Sequence, residues 1–142
     1  MGFCEMIEKL QERNKGKIVL CRNGNFYIAI GKDAIALNNI LNFKLTCFKP
    51  QQVCKVGFPK NALEKYIKLL ADKNYSFVIY DFNSEKAELS KICEVIGKYK
   101  NEEIISNKCY MCPSKLYDNV KKDKYILAIE KLLEREEKKD GK

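Results

Sequence analysis

Residues 17–30, KIVLCRNGNFYIAI, decide how this chain folds. The first part, residues 17–22, is an almost continuous apolar run, which is typical of a buried strand. Asn23-Gly24 is a residue pair that two-residue hairpin loops favour, and residues 25–30 return as a second apolar run. The sequence therefore predicts a β-hairpin whose first strand is buried.

Helical periodicity flanks this hairpin on both sides. Before it, apolar residues recur at helical spacing ahead of a stop at Gly16: Phe3, Met6, Ile7 and Leu10. After it, Asp33 is placed to cap a helix that runs through Leu41. The apolar positions of that helix are predicted to be buried: Ile35, Leu37, Ile40 and Leu41.

Two strands, a helix and a third strand follow. Residues 43–48 and 53–58 are predicted strands, and residues 75–81 (YSFVIYD) are predicted to lie centrally in the sheet. Before that third strand, Asn61 and Glu64 match a capping box. They precede an apolar stripe that marks the clearest helix of the chain: Leu63, Tyr66, Ile67, Leu70 and Ala71.

The last part of the chain is predicted to be mainly helical. Ser84 opens a helix that ends at Gly97 and buries one face: Leu89, Ile92, Cys93 and Ile96. A short strand is predicted over residues 102–105. A final amphipathic helix carries a stripe that either packs on the chain's own sheet or docks on a partner or a second copy: Tyr125, Ile126, Ile129, Leu132 and Leu133.

These elements predict an α/β fold with a mixed central sheet flanked by helices. We expect one domain over residues 1–82 and a helical C-terminal extension over residues 83–142, which can pack on the same core. A chain of 142 residues is too short for a TIM barrel or a two-domain dehydrogenase. It contains no His, which excludes Ser-His-Asp and Cys-His catalysis and every His-ligated metal site.

The basic charge is concentrated in one segment. The chain carries 27 Lys and Arg against 19 Asp and Glu, a formal net charge of +8. Residues 15–60 hold eight basic side chains and one acid, Asp33, and so account for seven of those charges. Such an excess marks a surface for phosphates, less often for acidic protein or lipid, although a Lys-rich composition that merely solubilises a domain gives the same total. Only three of the 27 are Arg, so we predict backbone binding with little sequence preference.

Residues 22–30, RNGNFYIAI, are similar to the RMGDFYELF stretch of the DNA mismatch-recognition domain, the first domain of bacterial MutS. The resemblance continues in order along the chain. Asp33-Ala34 resembles the DDA of the next helix, and residues 43–46 (FKLT) resemble the ISLT strand. Residues 55–62 (KVGFPKNA) are similar to MAGIPYHA, residues 63–70 match the VENYLxKL helix, and residues 75–80 fall where that family has VAICEQ. Residues 83–142 carry no such match.

In that family the Phe of the G-D-F-Y-E motif wedges into the duplex from the minor groove and stacks on a mispaired base, a role that the resemblance gives to Phe26. The family's Glu, which hydrogen-bonds that base, is Ile28 here, and its Asp is Asn25. Loss of both acids favours nonspecific binding to phosphates. Phe26 shares a strand face with Ile28 and Ile30, so it is a core residue unless it lies at the hairpin end. Tyr27 is expected to pack.

The resemblance implies a noncatalytic nucleic-acid-binding accessory protein without a cofactor, which binds duplex or distorted DNA or an RNA–DNA hybrid. Stand-alone domains of this kind resemble proteins encoded beside retroelement reverse transcriptases. One alternative is a protein-interaction adaptor that keeps the fold. Another is a small nuclease, although Asp33, Asp72 and Asp81 are expected at the ends of elements and do not form a metal-dependent nuclease pattern. The predicted nucleic-acid-binding residues are Arg22, Asn25, Phe26, Lys32, Lys44, Lys49, Lys55 and Lys60.

The seven cysteines are predicted to be reduced thiols that mostly fill the core. Cys109 and Cys112 form a C-x-x-C pair, which is half of a zinc site, and Cys93 could add a third ligand; no complete metal site is predicted. A thioredoxin-like redox pair lacks its βαβ context. No run of about 20 apolar residues is available to cross a bilayer, and residues 1–11 are too acidic for a signal peptide, so we expect a cytoplasmic protein without membrane contact.

Overall fold

The structure, a computed structural model, describes residues 2–48, 53–101 and 124–140. Within those ranges the chain forms four helices, six strands and one 3₁₀ turn, Lys60–Ala62. The helices are α1 (Phe3–Arg13), α2 (Gly31–Leu41), α3 (Leu63–Asp72) and α4 (Lys124–Asp140). The strands are β1 (Ile18–Asn23), β2 (Phe26–Ile30), β3 (Thr46–Phe48), β4 (Val53–Pro59), β5 (Phe77–Asn83) and β6 (Glu88–Val95).

The six strands form one mixed sheet in the order β3-β4-β2-β1-β5-β6. β1 runs parallel to β5, and the other neighbouring pairs are antiparallel. The predicted α/β class with a mixed central sheet and a C-terminal helix is therefore confirmed. The strand predicted to be central, β5, lies between β1 and β6 inside the sheet.

Helices cover both faces of the sheet, which explains the long apolar run of β1. On one face Val19 and Cys21 join the core cluster of α1 and α4; on the other Ile18 and Leu20 join the cluster that α2 and α3 cover. All four side chains are at most 1% exposed. Removing apolar surface from water stabilises the fold by roughly 25 cal/mol per Å², so a strand buried on both sides is expected to be apolar throughout.

The helix predicted from Ser84 to Gly97 is wrong, because this stretch forms a turn and then β6. Leu89 is buried, but Ile92 is 44% exposed and Ile96 65%, so the predicted helical face is not a buried stripe. Gly97 does not end a helix. A Cβ there would lie 2.4 Å from the Asn74 carbonyl oxygen, so glycine is needed where the chain passes close to the end of α3. The region predicted as a helical extension thus supplies a strand of the sheet.

Four local predictions are also corrected. The hairpin loop is Gly24-Asn25, one residue later than predicted, since Asn23 pairs with Phe26. Neither α2 nor α3 has a side-chain cap, so Asp33 is not a cap and the Asn61–Glu64 capping box does not form. The reason at α3 is that the 3₁₀ turn leads directly into the helix. Ile35 is 44% exposed instead of buried.

The apolar face of α4 packs on the chain's own core. Ala128, Ile129 and Leu132 are buried in the cluster that contains α1 and the adjoining sheet face. Arg13 of α1 pairs with Glu136 of α4 at the surface. Among residues 2–48, 53–101 and 124–140, no helix is long and apolar enough to cross a membrane. The predicted strand at 102–105 lies outside these ranges, as do Lys49, Cys109 and Cys112.

Candidate nucleic-acid interface

Phe26 lies at the loop end of the β1–β2 hairpin. Because Asn23 and Phe26 are paired, Gly24 and Asn25 alone form the connecting loop. Gly24 has φ +71°, a backbone conformation that glycine adopts without steric cost at the first position of a primed turn. The tight loop ends the ladder at Phe26, whose side chain is 50% exposed.

Burial along β2 decreases toward this end. Phe26, Ile28 and Ile30 share one sheet face by alternation, yet Ile30 is fully buried, Ile28 is half-buried and Phe26 is exposed. Ile28 and Ile30 both pack in the α1–α4 cluster, to which Phe26 does not belong. The structure therefore places Phe26 at the surface. The sequence predicts this outcome if Phe26 lies at the hairpin end, and burial in the core otherwise.

Aromatic side chains on the opposite face support the hairpin. Tyr27 is 5% exposed and stacks on Phe58, with ring centroids 5.6 Å apart. The Phe58 ring lies 4.6 Å from that of Tyr66 in α3, which is in edge contact with Phe43 at 4.8 Å. Tyr27 is thus a packing residue, as predicted, and the strand that carries Phe26 is held against β4 and α3.

Asn25 and Lys60 are predicted site residues that adjoin the end of the ladder at Phe26. Phe26 lies opposite Pro59, and the backbone N–H of Lys60 donates to the Asn25 carbonyl oxygen at 2.8 Å. The side chain of Lys60 is exposed. An exposed aromatic residue and an exposed lysine therefore lie at the same end of the sheet.

Arg22 holds the hairpin loop in place. Its Nη1 donates to the Gly24 carbonyl oxygen at 2.7 Å, and its Nε donates to the Asp81 carboxylate. This hydrogen bond to Asp81 raises the pKa of the Arg22 guanidinium above its ordinary value. A phosphate bound here would share Arg22 with Asp81, whose carboxylate partly neutralises the guanidinium. Arg22 therefore positions the loop and attracts phosphate less strongly than an unpaired arginine would.

Three other predicted lysines lie in separate parts of the fold. Lys55 lies opposite Ile30, four residues and so roughly 14 Å from the Phe26 end of β2. Lys32 is in the first turn of α2 and lines a cavity of about 350 Å³ with Tyr75 and Asn101. Lys44 is exposed beside Phe43, whose ring is 5.9 Å from Phe58. The predicted basic residues therefore do not all lie at the hairpin end.

Lys86 is a candidate that sequence reasoning missed. Arg22 of β1 lies opposite Asp81 of the parallel strand β5, so the turn at residues 84–87 is at the same end of the sheet as the hairpin loop. Lys86 is exposed there, and Lys131 of α4 donates to its carbonyl oxygen at 2.9 Å. The predicted helix over residues 84–97 concealed this proximity.

Asp33 is buried in the first turn of α2, beside the start of β1, and does not contribute to the surface charge. It accepts hydrogen bonds from Nε2 of Gln11 at 2.8 Å, from the backbone N–H of Val19 at 3.1 Å and from the side-chain amide of Asn101. Burial raises the pKa of its carboxyl from 3.8 to about 6, against the opposing effect of these donors. Asp33 thus links α1, β1, α2 and the chain near residue 101.

The carboxylates considered for a nuclease do not converge. Asp33 bonds to Val19, whereas Asp81 lies opposite Arg22, three residues further along β1 and roughly 10 Å away. Asp72 is the last residue of α3. In the described residues 2–48, 53–101 and 124–140, no group of three or more Cys, Asp or Glu side chains could hold a metal ion.

Comparison with known proteins adds one family. The sequence signature described as MutS domain I matches residues 1–107. The DNA mismatch repair protein MutS of Thermotoga neapolitana is 35% identical over 88 residues, which is 62% of this chain and 11% of that protein. The MutS protein of Thermosipho melanesiensis is 29% identical over 127 residues, 84% of this chain and 15% of that protein. That of Fervidobacterium nodosum is 39% identical over 70 residues, 49% of this chain and 8% of that protein.

The chain thus spans well under a fifth of the length of these relatives. The family match also extends past residue 82 and includes β6.

Proposed function

Because the chain belongs to the MutS domain I family, we propose that it is a noncatalytic domain that binds duplex nucleic acid through the hairpin end of its sheet. The observation that carries this proposal is the 50% exposed ring of Phe26, which lies at the end of a rigid hairpin beside Lys60. A large apolar ring at the tip of a strand contributes little to its own core and is available for stacking.

The physical task of Phe26 is that of a minor-groove wedge. Separating two stacked base pairs costs a few kcal/mol, and the cost is smaller where the duplex is already mispaired or flexible. The Tyr27–Phe58 stack behind the hairpin limits movement of the strand, so the ring enters with little loss of conformational freedom. Distorted duplex is therefore the ligand that this end of the sheet fits best.

Ile28 determines how much of a base such a wedge can read. It is the next residue on the face of Phe26, and its side chain neither donates nor accepts a hydrogen bond. Gly57 lies opposite Ile28, so the neighbouring strand has no side chain there that could bond to a base. A Cβ at Gly57 would come within 3.2 Å of the Tyr27 carbonyl oxygen. We therefore expect discrimination by deformability instead of base identity.

Lysines supply the sequence-independent part of the affinity. Lys60 and Lys86 are exposed at the hairpin end, and Lys44 is exposed in the connection between α2 and β3. Each neutralised phosphate releases condensed counterions, so affinity should fall steeply with salt. We also propose that phosphates contact Lys32, Lys49 and Lys55. The proposed ligand is either DNA or an RNA–DNA hybrid. An accessory role beside a reverse transcriptase stays a prediction.

The noncatalytic assignment is supported by the carboxylates themselves. Asp33 is 1% exposed and surrounded by amide donors, and Asp81 is paired with Arg22. Neither is free to hold a metal ion at the hairpin end. Incubating labelled duplex with the protein and Mg²⁺ or Mn²⁺ tests this, since cleavage that disappears when one carboxylate is replaced would establish a nuclease instead.

Fluorescence anisotropy tests the binding proposal. The full chain is titrated into labelled homoduplex, mismatched duplex, RNA–DNA hybrid and single strand, at low salt and at physiological salt. We expect duplexes to bind in a salt-dependent manner, with the distorted duplex bound most tightly. Absence of binding to every ligand at low salt would overturn the proposal. It would favour a protein-interaction adaptor, whose partner must use a surface other than the buried face of α4.

A further inference from the structure

Cys47 and Cys54 lie directly opposite each other in the β3–β4 ladder. Opposed residues in an antiparallel pair have Cα atoms about 4.5–5.5 Å apart. Disulfides span Cα separations of about 4.4–6.8 Å, so the ladder itself holds the two residues within bonding range. Neither cysteine is in a disulfide, and both side chains are half-buried, which leaves them accessible to small reagents.

The other described cysteines are in different surroundings. Cys4 and Cys21 are buried in the α1–α4 cluster, where burial raises the pKa of the Cys4 thiol to about 12 and also raises that of Cys21. Cys93 lies opposite Ile79 and so has no thiol across the ladder. Among the paired strands that the structure describes, only β3 and β4 bring two cysteines opposite each other.

The position in the sheet and the local charge favour reaction with an anionic oxidant. β3 is an edge strand, so the pair is not enclosed between two further strands. Residues 43–55 contain no acid and three lysines, Lys44, Lys49 and Lys55. The net positive charge of this segment attracts negatively charged low-molecular-weight disulfides such as oxidised glutathione.

We propose that Cys47 and Cys54 form a reversible cross-strand disulfide by exchange with oxidised glutathione. One cysteine loses its proton and attacks a glutathione sulfur, which breaks the glutathione disulfide and releases one glutathione as the thiol. The second cysteine then attacks the mixed disulfide and releases the other glutathione. The two protein thiols lose two electrons and two protons, and oxidised glutathione gains them. The bond fastens the edge strand β3 to β4.

Peptide mapping of the full chain tests this proposal. The protein is equilibrated in glutathione buffers from reducing to oxidising, its free thiols are alkylated, and it is digested with trypsin. Residues 45–55 leave as one peptide that holds both cysteines and no other, because Lys49 precedes Pro50. We expect this peptide to lose two hydrogen atoms in oxidising buffer, instead of gaining two alkyl groups, and to recover them with dithiothreitol.

Cysteine variants identify which two thiols form the bond, and they supplement the measurement on the wild-type protein. Cys93→Ser is expected to leave the oxidised peptide unchanged, whereas Cys47→Ser and Cys54→Ser should yield only a mixed disulfide with glutathione. A wild-type peptide that remains doubly alkylated in the most oxidising buffer would overturn the proposal. So would a persistent mixed disulfide, or a bond from either thiol to another cysteine of the chain. None of these outcomes bears on nucleic-acid binding, which is measured separately.

Discussion

Phe26 lies directly opposite Pro59 where the β2–β4 ladder ends. Proline has no N–H to donate, and the next residue, Lys60, turns its N–H to the Asn25 carbonyl oxygen in the hairpin loop. The sheet cannot continue past this pair, so no further strand residue covers the ring. The exposure of Phe26 thus follows from the way in which two strands end together.

Replacing Phe26 tests its role as a wedge. Phe26→Ala is expected to lower the preference for mismatched over matched duplex by about 5- to 150-fold, since stacking on a base is worth ~1–3 kcal/mol. Because the ring is half-exposed, the free energy of unfolding should fall by less than about 1 kcal/mol. Ile92→Ala is the matched control, because Ile92 is 44% exposed on β6. An unchanged preference in Phe26→Ala would place the contact elsewhere.

Replacing Lys60 separates phosphate contact from wedging. Lys60→Ala should reduce the slope of log K against log salt by about 1, and should weaken matched and mismatched duplexes alike. The control is Lys73→Ala, which removes an exposed lysine after α3, just before β5 begins at the opposite end of the sheet. Equal salt slopes for the two variants would argue against a contact at the hairpin end.

Ile28→Glu tests the departure from the family motif. The added carboxylate should weaken binding to matched duplex, most at low salt, and should make affinities differ among mismatches because it can accept a hydrogen bond from a base. Ile28 is half-buried, so a loss of stability of about 1–3 kcal/mol is expected. Ile28→Gln is the matched control, because glutamine has a shape similar to that of glutamate but carries no charge. If both variants weaken matched duplex equally, packing and not charge accounts for the loss.

The pH dependence of stability tests Asp33. Its pKa is raised in the folded protein from 3.8 to about 6, so the folded state binds the proton more tightly than the unfolded state does. Stability from this group is therefore present below about pH 4 and is lost as the pH rises through 6, by about 3 kcal/mol in all. Denaturant unfolding of the wild type and Asp33→Asn between pH 4 and pH 8 measures it.

The difference between these two proteins is the informative quantity, because it cancels the contributions of the other carboxyls to stability. The pKa of Glu94, for example, is lowered by hydrogen bonds from Lys17 and Lys91. The stability that Glu94 contributes is therefore lost as the pH falls, which is opposite to the effect of Asp33. The stability of the wild type relative to Asp33→Asn should decrease from pH 4 to pH 7. A difference that does not change with pH would show that Asp33 keeps an ordinary pKa.

Two substitutions in α4 test whether this helix belongs to the same core. Ile129 is 1% exposed and Leu127 is 40% exposed, although both lie on one helix. Ile129→Ala is expected to lower the free energy of unfolding by about 2–4 kcal/mol, and Leu127→Ala by less than about 1 kcal/mol. Both should unfold in one transition with the sheet. A separate transition for α4, measured by circular dichroism in denaturant, would support the predicted division near residue 82.

The hairpin, the α3 stripe and the α4 stripe could be predicted because each depends on short-range order. An apolar run, a loop glycine and a period of 3.6 residues are properties of a few neighbouring residues. Residues 88–95 could not be predicted in this way. Their pattern fits a helix when taken alone, but the open edge of β5 offers a strand a full set of backbone hydrogen bonds. The same limit applies to Asp33, because a position near a helix start does not reveal that Gln11 and Asn101 enclose it.

The sequence by itself determined the class of the fold, the segment that carries the positive charge and the identity of the residue at the hairpin end. The tertiary structure alone decided which of these residues meet. It placed Phe26 outside the core, brought Lys60 and Lys86 to one end of the sheet, paired Arg22 with Asp81 and set Cys47 opposite Cys54. The physical reason is that strand pairing and helix packing join residues far apart in the chain, and no local pattern encodes those distances.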